Sequence, residues 1–205
     1  MESKQNVKRR AVFLDRDGTL NRDVEFVHRV SDLQLLENVV PGLQRMRDLG
    51  YLLVITTNQS GIARGLFTEA DMHAFNAALC ERLQAAGIDI AAVYHCPDHP
   101  TAGVGRYLRE SPHRKPAPGM ILQAAAEHDL DLPGSFAIGD KKSDVLAGQA
   151  AGCRTILVTT GKAGGGEAEL KAQPDFVAAD LLAAAEFMAT NVDRQQYKNY
   201  LAIEA

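Results

Sequence analysis

Five short apolar runs constrain this chain more than any other feature. They are Ala11–Leu14, Leu52–Thr56, Ala92–His95, Ser135–Ile138 and Thr155–Val158. Runs of four or five residues, bounded by Gly, Asp, Asn or Pro, suit strands buried on both faces. Helical patterns lie between them. Pro41 opens Gly42–Leu49, where Leu43, Met46 and Leu49 recur at helical spacing, and Gly50 closes it. Thr68, with Asp71 three residues on, caps a helix expected to run to Ala86 with Met72, Phe75, Leu79 and Leu83 on one face. Pro118–His128, Asp144–Ala151 and Asp180–Met188 complete the set. Strands alternating with helices require right-handed crossovers and a parallel sheet with helices on both faces. Ligands of such sheets bind at the carboxyl ends of the strands.

The polar clusters fall at those ends. Asp15-Arg16-Asp17-Gly18-Thr19-Leu20-Asn21 follows the first run, Thr57-Asn58-Gln59-Ser60-Gly61 the second, and Gly139-Asp140-Lys141 the fourth. Arg114-Lys115-Pro116 lies between the third and fourth. Taken singly, an Asp-x-Asp or a Thr-Asn is ordinary turn chemistry. Together, in a parallel sheet, they converge. Asp15, Asp17 and Asp140 then share a small space, which like charges tolerate poorly without a cation. Mg²⁺ suits one or two carboxylates with phosphate and water. Asp15 can attack phosphorus, while Mg²⁺ and Lys115 offset the repulsion between carboxylate and phosphate. Asp17, at the turn made by Gly18, can serve as general acid and then general base. Thr57 and the Asn58 N–H offer neutral donors to phosphoryl oxygens.

These motifs resemble the haloacid-dehalogenase superfamily, and within it the heptose-bisphosphate and histidinol-phosphate phosphatase branch. The likeness covers about Ala11 to Val158 and includes Thr57-Asn58-Gln59-Ser60-Gly61-Ile62-Ala63-Arg64-Gly65 and Arg114-Lys115-Pro116-Ala117-Pro118-Gly119-Met120. It implies an α/β, three-layer Rossmann-like fold without a large cap domain. It makes Asp15 the nucleophile and Asp17 the acid/base, with the Asp17 backbone carbonyl on Mg²⁺. Thr57 and Lys115 would hold the phosphoryl group, and Asp140 would complete the Mg²⁺ contacts with Lys141 beside them. Asn58, Gln59, Ser60 and Arg114 would contact substrate, with a first substrate loop at Asp23 to Phe26. Asp144 would stand behind the ligands. The implied substrate is a sugar phosphate, namely a manno-heptose 1,7-bisphosphate losing its 7-phosphate on the way to lipopolysaccharide or other heptose-bearing glycans. Arg114 suits the second phosphate because guanidinium is a fork-shaped donor. Histidinol phosphate and a non-catalytic phosphate-binding module are the alternatives.

One stretch departs from the branch, which commonly carries a zinc loop of pattern Cys-x-His and Cys-x-Cys. Here Asp98 replaces the His, while Ser111 and His113 replace the two Cys. Two readings stay open: Zn²⁺ held by Cys96, His99 and His113 with Asp98 as oxygen donor, or a zinc-free loop ordered by prolines and hydrogen bonds. His95 reads as a polar strand-end residue.

Among 205 residues, 46% hydrophobic and 23% charged, one good core is affordable and two full domains are not. The expected organisation is a basic tail at 1–10, one domain at 11–188 and a polar tail at 189–205. A net charge of −4 argues against nucleic acid as a partner. No apolar run reaches the ~18 residues of a membrane span. Three cysteines, Cys80, Cys96 and Cys153, show no disulfide spacing. The expectation is a soluble cytoplasmic protein, a monomer or weak homodimer, with no membrane partner. Gly161–Gly166 reads as a flexible loop rather than a phosphate-binding one.

Overall fold

The computed structural model describes residues 8–162 and 172–190. The expected loop at Gly161–Gly166 lies mostly outside them, as do most of the two expected tails. Six strands form one parallel sheet: β1 (Ala11–Leu14), β2 (Leu52–Asn58), β3 (Ala92–Cys96), β4 (Phe136–Gly139), β5 (Arg154–Val158) and β6 (Phe176–Ala178). Their order is β3-β2-β1-β4-β5-β6, with every neighbouring pair parallel. The order reverses between β1 and β4, so the crevice beyond their carboxyl ends is the natural ligand position.

The helices are α1 (Val39–Asp48), α2 (Ser60–Ala63), α3 (Glu69–Gln84), α4 (Gly119–His128), α5 (Lys142–Ala151) and α6, the helical residues 181–190. Because side chains alternate along a strand, the buried sheet feeds two cores. Val12, Leu14, Leu53 and Ile55 face α1, α3 and α6, meeting Leu43, Met46, Phe75, Leu79 and Leu181. Ala11, Phe13, Val54 and Tyr94 face α4 and α5, meeting Met120, Ile121, Ala124 and Ala147. This is the three-layer α/β arrangement, and among the described residues no cap domain interrupts it. The two largest insertions at the carboxyl edge are loops, 15–38 and 97–118, each with one 3-10 turn.

Several boundaries differ from the sequence reading. β2 continues through Thr57 and Asn58, so both are strand residues aimed at the crevice. β6 was not expected: it has three residues, and Val177 is exposed. α2 is a single turn, too short to show periodicity. Residues 189 and 190 belong to α6 rather than to a tail. At the other end, the exposed Arg9 donates to the His128 carbonyl at 3.0 Å and the half-buried Arg10 stacks 4.6 Å over Tyr51, so both touch the body of the domain. The Thr68–Asp71 capping box is present: the Asp71 N–H donates to Thr68 Oγ1 at 3.2 Å, and the Thr68 N–H to Asp71 Oδ2 at 2.8 Å. Cys96 and Cys153 are buried, Cys80 is half-buried, and none is in a disulfide. No described helix is long and apolar enough to cross a membrane.

Leu79 is fully enclosed between α3 and the sheet. Leu79→Ala is expected to lower unfolding free energy by about 2–5 kcal/mol in a denaturant titration. A loss under about 1 kcal/mol would mean that the space collapses around the smaller residue.

Candidate active site

The Asp15 N–H donates to the Ile138 carbonyl at 2.9 Å, which fixes the end of β1 against β4. Asp140 leaves β4 beside it, fully buried. The chain around Asp140 has no room for side chains. A Cβ on Gly18, whose φ is +89°, would lie 2.4 Å from Asp140 Oδ2, and one on Gly161 would lie 2.2 Å from the same atom. The Lys162 N–H donates to Asp140 Oδ2 at 2.7 Å.

Lys115 crosses beneath these carboxylates. Its ammonium is 2.7 Å from Asp15 Oδ1, 2.7 Å from the Thr56 carbonyl and 2.5 Å from Asp144 Oδ1. Burial alone would push this lysine down, but Asp144 and Asp15 outweigh it and raise its pKa. Burial likewise works to raise Asp15, and Lys115 and Lys141 reverse it, so its pKa falls below the usual carboxylate value. Asn58 holds Lys115 in place. Its Nδ2 donates to the Lys115 carbonyl at 2.9 Å, and its Oδ1 accepts from the Lys115 N–H at 3.1 Å.

Lys141 supplies a second ammonium, 3.4 Å from Asp140 Oδ1, 3.7 Å from Asp15 Oδ2, 3.4 Å from the Asp17 carbonyl and 3.7 Å from Asp23 Oδ2. Burial opposes its charge, but these carboxylates prevail and raise its pKa. A recess of about 30 Å³ is lined by Asp15, Asp17, Thr57, Asn58, Lys115, Lys141, Ser143 and Asp144. A cleft of about 430 Å³ shares Asp17, Asn58, Lys141 and Ser143 with it. That cleft extends to Asp23, Glu25, Phe26, Arg64, His99 and Arg114.

The arrangement and its relatives now coincide. A HAD-hydrolase-like family model matches residues 112–184. A D-glycero-D-manno-heptose-1,7-bisphosphate 7-phosphatase of Thermosynechococcus vestitus is 43% identical over 191 residues, 90% of this chain and 97% of that protein. The D-glycero-beta-D-manno-heptose-1,7-bisphosphate 7-phosphatase of Pasteurella multocida is 45% identical over 155 residues, 75% of this chain and 84% of the other. The chain belongs to the heptose-bisphosphate phosphatase family of HAD-like hydrolases. Among solved structures, the D,D-heptose 1,7-bisphosphate phosphatase from B. bronchiseptica, complexed with magnesium and phosphate, superimposes with a TM-score of 0.78 at 33% identity. The superposition covers 89% of this chain and 99% of that one.

Within this family frame, the sequence-derived residues divide. Asp15, Thr57, Lys115, Asp140 and Lys141 gather at the end of β1. The three carboxylates with oxygens within 4.8 Å of one another are Asp15, Asp140 and Asp144, while Asp17 turns its carbonyl to Lys141. The cause is Arg16, which is fully buried and takes the Asp17 carboxylate in a fork, Nε to Oδ1 and Nη2 to Oδ2, both at 2.9 Å. Asp17 therefore turns to the cleft and leaves only its carbonyl facing Lys141. Gln59 and Asn58 line the cleft and also bond within the site. Gln59 lines the cleft, yet its buried amide brackets the site, donating to Asp17 at 3.0 Å and Thr57 at 2.7 Å and accepting from Arg16 at 3.1 Å. Ser60 and Arg114 line the cleft, as does the loop Asp23 to Phe26.

Cys96, His99 and His113 do not form one of the described clusters of metal-ligand atoms. The buried Cys96 takes a hydrogen bond from Ser111, and His99 Nδ1 accepts the N–H groups of Thr101 and Ala102 at 3.2 and 2.9 Å. Sequence reasoning missed Arg16 and its anchor Asn76, whose Oδ1 accepts from Arg16 Nη1 at 2.8 Å. The signal was available: Asn76 is a polar residue on the otherwise apolar face of α3.

The donors fit Mg²⁺. Asp15 and Asp140 carboxylates and the Asp17 carbonyl are hard oxygens already surrounding one cationic group, and buried Asp140 Oδ1 makes no hydrogen bond. Asp144 is held otherwise, its Oδ2 accepting from the Lys141 N–H at 3.0 Å. Without the ion, burial first and Asp15 second push Asp140 up to about 7. A carboxyl raised in this way favours the folded state at low pH and loses that advantage as pH climbs from 3.8 towards about 7. Mg²⁺ needs the ionised form, so its binding runs the opposite way. The rise in Tm on adding Mg²⁺ is expected to be larger at about pH 8 than at about pH 6. Equal rises at the two pH values, measured by calorimetry, would remove Asp140 from the metal centre.

Proposed function

We propose that this chain hydrolyses a sugar bisphosphate, the D-glycero-D-manno-heptose 1,7-bisphosphate named for its relatives, by removing the 7-phosphate through an aspartyl-phosphate on Asp15. The observation that carries this reading is a cleft with two separate cationic regions. Lys115 and Lys141 line the recess at Asp15, while Arg64 and Arg114 line the wider cleft and not the recess. His99, between the latter pair, has its pKa lowered by burial and then by Arg114 and Arg64, which marks a local positive field. One region suits the reacting phosphoryl group and the other a second anion. Asp23, Glu25 and Ser60 line the cleft and supply hydroxyl partners for a sugar under this reading.

Mg²⁺ held by Asp15, Asp140 and the Asp17 carbonyl would neutralise charge and polarise the phosphoryl oxygens. The chain's own groups do the rest. Asp15 forms a bond to phosphorus as the bond to the sugar oxygen breaks. Lys115, with Thr57, stabilises the equatorial oxygens. The electron pair leaves on the sugar oxygen, which takes a proton from Asp17. Water then loses a proton to Asp17 and attacks the aspartyl-phosphate, releasing inorganic phosphate and restoring Asp15. Arg16 and Gln59 orient Asp17 for both transfers. Three free thiols support a reducing, cytoplasmic setting.

Asp15→Asn is expected to reduce phosphate release by at least ~10³-fold. Hydrogen bonds to charged groups contribute about 1.5–3 kcal/mol, so Arg64→Ala and Arg114→Ala should each cut kcat/KM for the bisphosphate by ~10–100-fold. The same variants should leave hydrolysis of a simple aryl phosphate nearly unchanged. Parallel losses on both substrates, or faster turnover of histidinol phosphate across an ester panel, would refute the bisphosphate assignment.

A further inference from the structure

A second cluster of metal-ligand side chains lies away from Asp15. Glu69, His73 and His95 bring three ligand atoms within 4.8 Å of one another, the only such described group besides the buried aspartates. The fold explains the meeting. Glu69 opens α3, and His73 follows it by four residues, so both project from one face of the helix. His95 lies on β3, the edge strand, where its neighbours Tyr94 and Cys96 face the opposite core. It therefore points to the side that α3 covers. The two imidazoles meet edge to face, with centroids 5.2 Å apart and planes at 88°.

We propose that Glu69, His73 and His95 form a binding site for a borderline transition-metal dication of the Zn²⁺ or Co²⁺ class, distinct from the Mg²⁺ centre. Two imidazoles and one carboxylate leave one position for water, and imidazole selects such ions over Mg²⁺. Metal–nitrogen bonds of about 2.0–2.1 Å place neighbouring donors roughly 3 Å apart, so small side-chain rotations close the set. Tyr107 steadies the carboxylate by donating to Glu69 Oε1 at 2.5 Å, as outer partners of ligands commonly do. Arg106 reaches the same oxygen at 3.1 Å but is an exposed side chain that can withdraw. An all-oxygen site at the switch point and a nitrogen-rich site at the sheet edge would sort two metals by donor type. Through Tyr107, the second ion would also tie α3 and β3 to the 97–118 loop that carries Arg114 to the cleft.

The test is a Co²⁺ titration of the full chain, stripped with chelator and held in saturating Mg²⁺. Wild type should bind one Co²⁺ with visible d–d absorption and no thiolate charge-transfer band. His73 is exposed, so His73→Ala should keep the fold and Mg²⁺-dependent hydrolysis of an aryl phosphate. Its Co²⁺ affinity should fall by more than ~10-fold, since even an outer-shell partner contributes about 10–100-fold. His73→Cys should restore binding and add the thiolate band. Equal affinity in wild type and His73→Ala, absence of Co²⁺ uptake, or a thiolate band in wild type placing Cys96 on the ion would each overturn the site.

Discussion

Everything at the carboxyl end of this sheet depends on burying charge in alternating signs. Asp15, Asp140, Asp144 and Lys115 have almost no exposed surface. Each would be costly alone, because removing an ion from water costs several kcal/mol even after relaxation. They survive as a set. Lys115 neutralises Asp15 and Asp144 together, and its third acceptor is a strand carbonyl, so the ammonium has a partner for every proton. Asp140 is the member left short of positive charge, with its Oδ1 unbonded and only Lys141 nearby. That shortage is what makes the site a cation site. A fully balanced network would have no affinity for a further ion.

The scaffold follows from the same constraint. Charges can be packed this closely only if the backbone approaches closely too, and Gly18 and Gly161 are the positions where any side chain would collide with Asp140. The doubly wound order places β1 and β4 side by side, so Asp15 and Asp140 are neighbours despite being 125 positions apart in sequence. β2 adds Thr57 and Asn58 from the other flank. The Asn58 amide, by bonding both backbone groups of Lys115, transmits the rigidity of the sheet to a residue that sits on a loop.

Much of this was legible in the sequence. The apolar runs identified five of the six strands, because strands buried on both faces have no polar alternation to blur them. The capping pair Thr68–Asp71 and the stop at Gly152 marked helix ends, since caps are local chemistry. The motifs gave the converging residues because their polar content has no place in a buried sheet except at its ends. What escaped depended on the third dimension. β6 has three residues and one exposed side, too little for a pattern. Arg16 lay between two aspartates and looked like a turn residue. Only the fold shows it fully enclosed, stacked 4.5 Å over Phe75 and bonded to Asn76 and the Val27 carbonyl.

Arg16 resolves a tension in the chemistry. Asp15 and Asp17 are two residues apart, and the proposed mechanism gives them different tasks, one attacking phosphorus as an anion, the other exchanging protons with oxygen. If both carboxylates entered the Lys115–Lys141 network, both would crowd the recess at Asp15. The buried guanidinium prevents this by drawing the Asp17 carboxylate out of the network and towards the cleft, where side-chain hydrogen bonds from Asn21 and Gln59 complete its surroundings. In the proposed mechanism Asp17 offers its carbonyl to the cation and its side chain to the leaving oxygen. β1 ends at Leu14 and the turn follows at Gly18, so only Arg16 separates the proposed nucleophile from the proposed proton carrier, and its side chain holds the two carboxylates apart.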